Sequence, residues 1–235
     1  MLDLLLPPRC PGCGDFLPDA GKLCAGCWFS LSFLSGPSCN CCGYPFPHDR
    51  GGEVYCGVCH AHERHFDRVR SALTYDGGSR PLLLGFKHGD RTELAPFLSD
   101  LLMQAGREFF TETDLILPVP LHPRRLIRRR YNQAALLAGC LSSRTGLPWE
   151  GLVLRRHKAT IPQEGNYTLR QKNVRAAFSI QKGCQELIEG RRILLVDDVY
   201  TTGATLQSCA RELKRQGAEK VFGLTIARVV RPGML

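Results

Sequence analysis

Nine of the twelve cysteines in this chain of 235 residues fall between Cys10 and Cys59. Eight of those nine form four Cys-x-x-Cys pairs: Cys10/Cys13, Cys24/Cys27, Cys39/Cys42 and Cys56/Cys59. Two residues between thiols make a tight knuckle that points both sulfurs at one ion. Two knuckles complete a tetrahedral four-thiolate site, which suits zinc because zinc takes that geometry without redox chemistry. The spacing therefore predicts two structural zinc ions. Pairing in chain order closes the shorter loops and makes a double zinc ribbon; interleaved pairing stays open at this point. The competing reading is a disulfide framework in a secreted domain, but the N-terminal MLDLLLPPRC has only a short apolar patch, broken by Asp3 and ended by Pro7-Pro8. That is too short for a signal segment or a membrane span, so a soluble cytoplasmic protein is expected. Closed four-cysteine sites leave no open coordination position, which makes the ribbon structural or adhesive rather than hydrolytic. Cys41, Cys140, Cys184 and Cys209 stand outside this scheme, and no role is assigned to them.

A second stretch carries a different chemistry. In RRILLVDDVYTTGATL, Asp197 and Asp198 follow a buried apolar run and lead into a loop of threonines and small residues. The loop runs on into a helix, so its N–H groups and the hydroxyls of Thr201, Thr202 and Thr205 face one spot and make an anion cradle. Gly203 lets the backbone approach the anion closely. Two carboxylates beside such a cradle fit a sugar phosphate: the cradle takes the phosphate, and the carboxylates accept hydrogen bonds from vicinal hydroxyls. A ribose 5-phosphate satisfies both halves. The chain has neither the GxxxxGK[ST] of nucleoside triphosphatases nor a GxGxxG after a strand.

The elements that must position these residues alternate. VRSALTYD reads as a strand, RPLLLGFKHGDRTELAPFLSDLLMQAGREFF as helical segments interrupted near Gly89, and DLILPVPL as a strand. YNQAALLAGCLSSRTG reads as a helix stopped at Gly146. Strands LVLRR, AAFSI and RRILLVDD follow, then a helix to Gly217 and a last strand, KVFGLTIARVV. That rhythm predicts an α/β fold, a mostly parallel sheet flanked by helices, with ligands at the carboxyl ends of its strands. The boundary is expected at residue 67: a ribbon over 1–67 and the α/β domain over 68–235. Charge divides the same way. Residues 1–67 hold 4 Lys and Arg against 7 Asp and Glu, whereas the whole chain has a formal net charge of +9. The ribbon alone is a poor phosphate-backbone grip.

ILLVDDVYTTGATL resembles the 5-phosphoribosyl-1-pyrophosphate (PRPP) signature of type I phosphoribosyltransferases. With the ribbon and the segments YDGGSRPLLLGFKHGD, LPVPLHPRRLIRRRYNQAALLA and IPQEGNYTLRQKNVRAAF, nearly the whole chain resembles the ComF family of competence-associated, phosphoribosyltransferase-like proteins. The resemblance implies the type I phosphoribosyltransferase fold behind a zinc ribbon, with magnesium accompanying PRPP. It implies that Asp197 and Asp198 are the catalytic carboxylates on the ribose hydroxyls. Val199, Tyr200, Thr201, Thr202, Gly203, Ala204 and Thr205 form the rest of the PRPP-binding stretch, with the 5-phosphate on residues 201–205. A pyrophosphate loop falls at Leu121, His122 and Arg124, and Lys87 is a second candidate cation. Arg130 stands where many members have glycine, which makes that segment stiffer and more basic. The nitrogenous acceptor is not legible. The polar run from Arg155 to Asn173 is expected to form a loop or hood over the site.

Five arginines within seven residues, Arg124, Arg125, Arg128, Arg129 and Arg130, exceed what one pyrophosphate requires. Arg125, Arg128, Arg129 and Arg130, with Tyr131 to stack on a base, form a candidate surface for single-stranded DNA; a solvated basic helix face is the plainer reading. The functional expectation is a PRPP-binding protein linked to DNA uptake or nucleotide salvage. The alternative is a non-catalytic DNA-binding or adaptor protein that uses the arginines, and the ribbon as a docking point for a protein partner.

Overall fold

The computed structural model describes residues 7–19, 21–49, 51–89, 91–157 and 177–231, except for the side chain of Arg128. The hood segment read from the sequence therefore falls mostly outside the described residues. Four parallel strands form the main sheet in the order β1-β6-β5-β2: β1 is Arg68–Thr74, β2 Leu115–Pro118, β5 Arg192–Tyr200 and β6 Lys220–Arg228. A separate antiparallel pair, β3 (Leu154–Arg156) and β4 (Phe178–Ile180), lies over one face. The helices are α1 (Ala25–Phe29), α2 (Gly57–Ala61), α3 (Arg80–His88), α4 (Ala95–Ala105), α5 (Pro123–Arg129), α6 (Gln133–Thr145) and α7 (Ala204–Arg215).

Strand β5 shows why the sheet forms. Ile193, Leu194, Leu195 and Val196 are all fully buried, as an internal parallel strand covered on both faces requires. Successive side chains point to opposite faces. Ile193 and Leu195 join a core with Leu206, Cys209 and Leu213 of α7, while Leu194 and Val196 join one with Leu83, Leu98 and Leu137 of α3, α4 and α6. Burying each such side chain stabilises the fold by about 1.5–3 kcal/mol relative to exposure. These residues anchor the strand that carries the two carboxylates. Helix α6 starts at Asn132, whose side chain caps the Ala134 N–H at 3.1 Å, and stops at Gly146, which takes φ 74°.

The ribbon is packed onto this sheet. Leu34 N–H donates to Ala72 O at 3.0 Å, Thr74 N–H to Ser32 O at 2.8 Å and Val69 N–H to Cys41 O at 2.7 Å. Ribbon backbone thus covers the edge of β1, which would otherwise present unpaired amides. Gly43 at φ 67° sits against this edge: a Cβ there would lie 2.7 Å from Val69 O.

Candidate functional site

The strand carrying the carboxylates is longer than the sequence suggested. It runs to Tyr200, so Asp197 and Asp198 lie within it, on opposite faces of the sheet, rather than as its last two residues. Asp198 faces the α3 side, where its Oδ2 pairs with Lys87 Nζ at 2.8 Å. Both groups are shielded, at 30% exposure for the lysine side chain and 17% for the aspartate. Lys87, in the last turn of α3, thus stands beside the carboxylates. Asp197 faces α7 and β3. Burial, with the Asp198 charge adding, pushes its carboxyl up to about 7. The Asp198 N–H, donating to Asp197 Oδ1 at 2.8 Å, and the charges of Lys87 and Arg156 act in the opposite direction. Two adjacent carboxylates are thereby set apart, one ion-paired and one poised near neutrality.

The loop that follows is built around one glycine. Gly203 takes φ 76° as the N-cap of α7, and a Cβ there would collide with the Tyr200 hydroxyl. The cradle is graded in exposure. Thr201 is exposed, Ala204 and Thr205 half-buried, and Thr202 buried, its Oγ1 accepting the Ala204 N–H at 3.4 Å. Thr202 therefore supports the turn, and Thr201, Thr205 and the first turn of α7 are left as its accessible groups.

The loop after β2 emerges beside this site, because β2 pairs with β5 and Val119 N–H donates to Val196 O at 2.9 Å. Leu121 and His122 are half-buried there. His122 caps α5, its Nδ1 accepting the Arg124 N–H at 3.2 Å, which commits one ring nitrogen to the turn. Among the described residues no ion pair joins Arg124 to either carboxylate; Arg124 is exposed at the start of α5.

The arginine cluster divides. Arg129 is buried, with its Nη1 3.4 Å from Gln133 Oε1, and Tyr131 donates its hydroxyl to Phe86 O at 2.8 Å while its ring lies 6.5 Å from that of Phe86. The expectation that these two contact nucleic acid meets this packing: the Arg129 guanidinium reaches Gln133 of α6, and the Tyr131 hydroxyl is held by α3. Arg130 is exposed and takes the left-handed conformation, φ 64°, as the C-cap of α5. Arg156 on β3 stands in the sequence beside Arg155 as part of a basic run, yet its charge acts on Asp197, and burial, with Arg125 nearby, lowers its pKa. No local signal marks it, since the approach depends on β3 folding back over β5.

The eight ribbon cysteines gather as Cys10, Cys13, Cys24, Cys27 and as Cys39, Cys42, Cys56, Cys59, each set within 4.8 Å. Pairing in chain order is the arrangement found. The Cys13–Cys24 and Cys42–Cys56 sulfurs are 3.6 Å apart, near the roughly 3.8 Å of a tetrahedral zinc–thiolate site with bonds of about 2.3 Å. Backbone N–H groups of Gly12 and Cys24 lie 3.4 and 3.3 Å from Cys10 Sγ, and those of Cys42 and Cys56 lie 3.5 and 3.3 Å from Cys39 Sγ. Such donors favour thiolates, so both clusters fit a metal ion. Zinc bound there would cross-link each pair of knuckles and supply no reaction chemistry.

The sequence matches the double zinc ribbon domain over residues 1–60 and the phosphoribosyl transferase domain over residues 144–229. It is 32% identical to competence protein F of Haemophilus influenzae over 94% of this chain and 96% of that one. The chain belongs to the ComF family. Another ComF-like relative is the DNA utilization protein YhgH of Escherichia coli, 33% identical over 78% of this chain and 80% of its own length. The orotate phosphoribosyltransferase structure from Aeropyrum pernix shares 18% identity over 67% of this chain and 68% of that one, at a TM-score of 0.38. No described helix is long and apolar enough to cross a membrane.

Proposed function

We propose that this ComF-family chain binds PRPP with magnesium at the carboxyl end of β5, as a phosphoribosyltransferase with a nitrogenous acceptor. The observation that carries this reading is one continuous arrangement: Asp197 and Asp198 on β5, the glycine-pinned loop after them, the start of α7, and Lys87 at 2.8 Å from Asp198. In this reading the carboxylates hold the ribose hydroxyls, and Thr201, Thr205 and the α7 N-terminus hold the 5-phosphate. Lys87 leaves Asp198 for the pyrophosphate as the ribose arrives. Leu121 and His122 line the pyrophosphate side. The bond from C1 to the pyrophosphate oxygen breaks with its electron pair on the leaving group, and the acceptor nitrogen forms the new bond to C1. Magnesium bound to the pyrophosphate supplies charge neutralisation of that leaving group. Arg156 supplies fixed positive charge around the same centre, and Lys87 brings its charge to the leaving group.

The division into a ribbon over 1–67 and a transferase-like domain over 68–235, a cytoplasmic setting and a link to DNA uptake belong to the same proposal. The names of the relatives in Haemophilus influenzae and Escherichia coli support the last. A second reading, single-stranded DNA held outside the site, is favoured by the exposure of Arg124, Arg130 and Arg155. The exposed Phe29, at 84%, and Phe16, at 64%, are the corresponding support for a protein partner on the ribbon.

Thermal unfolding tests the site. PRPP with magnesium at about 100 times its Kd stabilises a protein by about 2.7 kcal/mol, so a clear rise in Tm is expected for wild type and none for Asp197→Asn/Asp198→Asn. An equal rise in both would remove the carboxylates from the site.

A further inference from the structure

Arg228, the last residue of β6, is a cation only 2% exposed. Among the described residues it forms no ion pair with a carboxylate, and burying an uncompensated charge costs several kcal/mol. What it faces is the second cysteine cluster. Its Nη1 donates to Cys42 O at 2.6 Å and lies 4.0 Å from Cys42 Sγ. Four thiolates around a divalent ion carry a net charge of about −2, so a filled cluster supplies the missing countercharge.

The faces of the guanidinium point the same way. Its centre is 5.1 Å from the Tyr44 ring centroid and 4.9 Å from that of Tyr200. Tyr44 closes the knuckle turn, its carbonyl accepting the Cys39 N–H at 2.8 Å. Tyr200 opens the phosphate loop, and its hydroxyl occupies the space that a Cβ on Gly203 would need. One cavity joins the two: Cys42, Tyr44 and Cys56 line it on the ribbon side and Tyr200, Thr201 and Thr202 on the loop side, with Val58 and the guanidinium-bearing Arg64 and Arg228 completing its wall. A chain of direct contacts therefore runs from the cluster through Arg228 and Tyr200 to the loop.

We propose that Arg228 is a positioning residue that couples the second metal centre to the phosphate loop: the centre balances its charge, and its stacked plane holds Tyr200 and thereby the loop. The proposal rests on the sugar phosphate reading of that loop. It is tested on the full-length, zinc-loaded chain with two readouts, PRPP affinity by calorimetry in magnesium and zinc release to a chromogenic chelator. Arg228→Met removes charge and stacking. It is expected to weaken PRPP about tenfold or more, the factor that 1.4 kcal/mol represents, and to speed one of two zinc-release phases while the other keeps its wild-type rate. Arg228→Lys keeps the charge without the planar stack, so it should retain zinc at the wild-type rates and still bind PRPP more weakly. If Arg228→Met does not fold, the lysine variant carries the test.

Unchanged PRPP affinity in the folded variant overturns the proposal, as does equal acceleration of both zinc phases, which marks general loosening. Wild type that binds no PRPP overturns the sugar phosphate reading instead. The link between Arg228 and the second centre then stands on zinc release alone, and unchanged release in Arg228→Met would end it.

Discussion

Asp197 is a carboxyl whose protonation should be visible in stability. Its ordinary value is 3.8 and burial, with Asp198 beside it, raises it to about 7, while Lys87 and Arg156 moderate the rise. A raised folded-state value means the native state holds the proton more tightly than the unfolded chain. Its contribution is fully present below about pH 3.8 and is lost as pH rises through about 7. Asp197→Asn removes this pH dependence. The stability of the asparagine variant relative to wild type should therefore increase between pH 5 and pH 8, by urea unfolding without ligand; a pH-independent difference would contradict the assignment. Arg130 makes a second prediction at this scale. A non-glycine residue at φ 64° costs about 1–2 kcal/mol, of which glycine's greater unfolded-state entropy returns about 0.5–1 kcal/mol. Arg130→Gly should raise stability by up to about 1.5 kcal/mol, and a lower Tm would show that the side chain stabilises the turn through its own interactions.

At the scale of elements, the two metal centres are built unequally. Cys39, Cys42 and Cys56 are buried and their knuckle is bonded to β1, whereas Cys13 of the first centre is exposed. Metal analysis should give two zinc per chain, the number of four-cysteine clusters. Stepwise chelation should remove the first-centre zinc before any loss of α/β structure, and unfolding should accompany loss of the second. Loss of both together, with no change in circular dichroism, would contradict that division. The Cys-x-x-Cys spacing, the buried run of β5 and the Gly203 turn were legible in the sequence because each is a local pattern. The position of both aspartates inside β5 was partly legible: strand alternation already sends adjacent residues to opposite faces, but the end of a strand is set by its neighbours, here β6 up to Arg228. Lys87 against Asp198, Arg156 against Asp197 and Arg228 between Tyr44 and Tyr200 were not. Each joins residues far apart in the chain through packing that no local periodicity encodes.

Across the whole molecule, the formal net charge of +9 is unevenly placed: residues 68–235 carry +12 and residues 1–67 carry −3. If single-stranded DNA follows the exposed arginines, Arg124→Glu/Arg130→Glu should weaken binding and flatten the salt dependence by about 0.7 for each phosphate left without its cation. An unchanged slope would remove those two residues from any such path. The central claim is narrower, and calorimetry of PRPP against the zinc-loaded chain, with and without magnesium, tests it most directly. The account predicts magnesium-dependent binding to wild type that Asp197→Asn/Asp198→Asn abolishes. Absence of binding by folded, zinc-loaded wild type, or binding that the double variant retains, would contradict it.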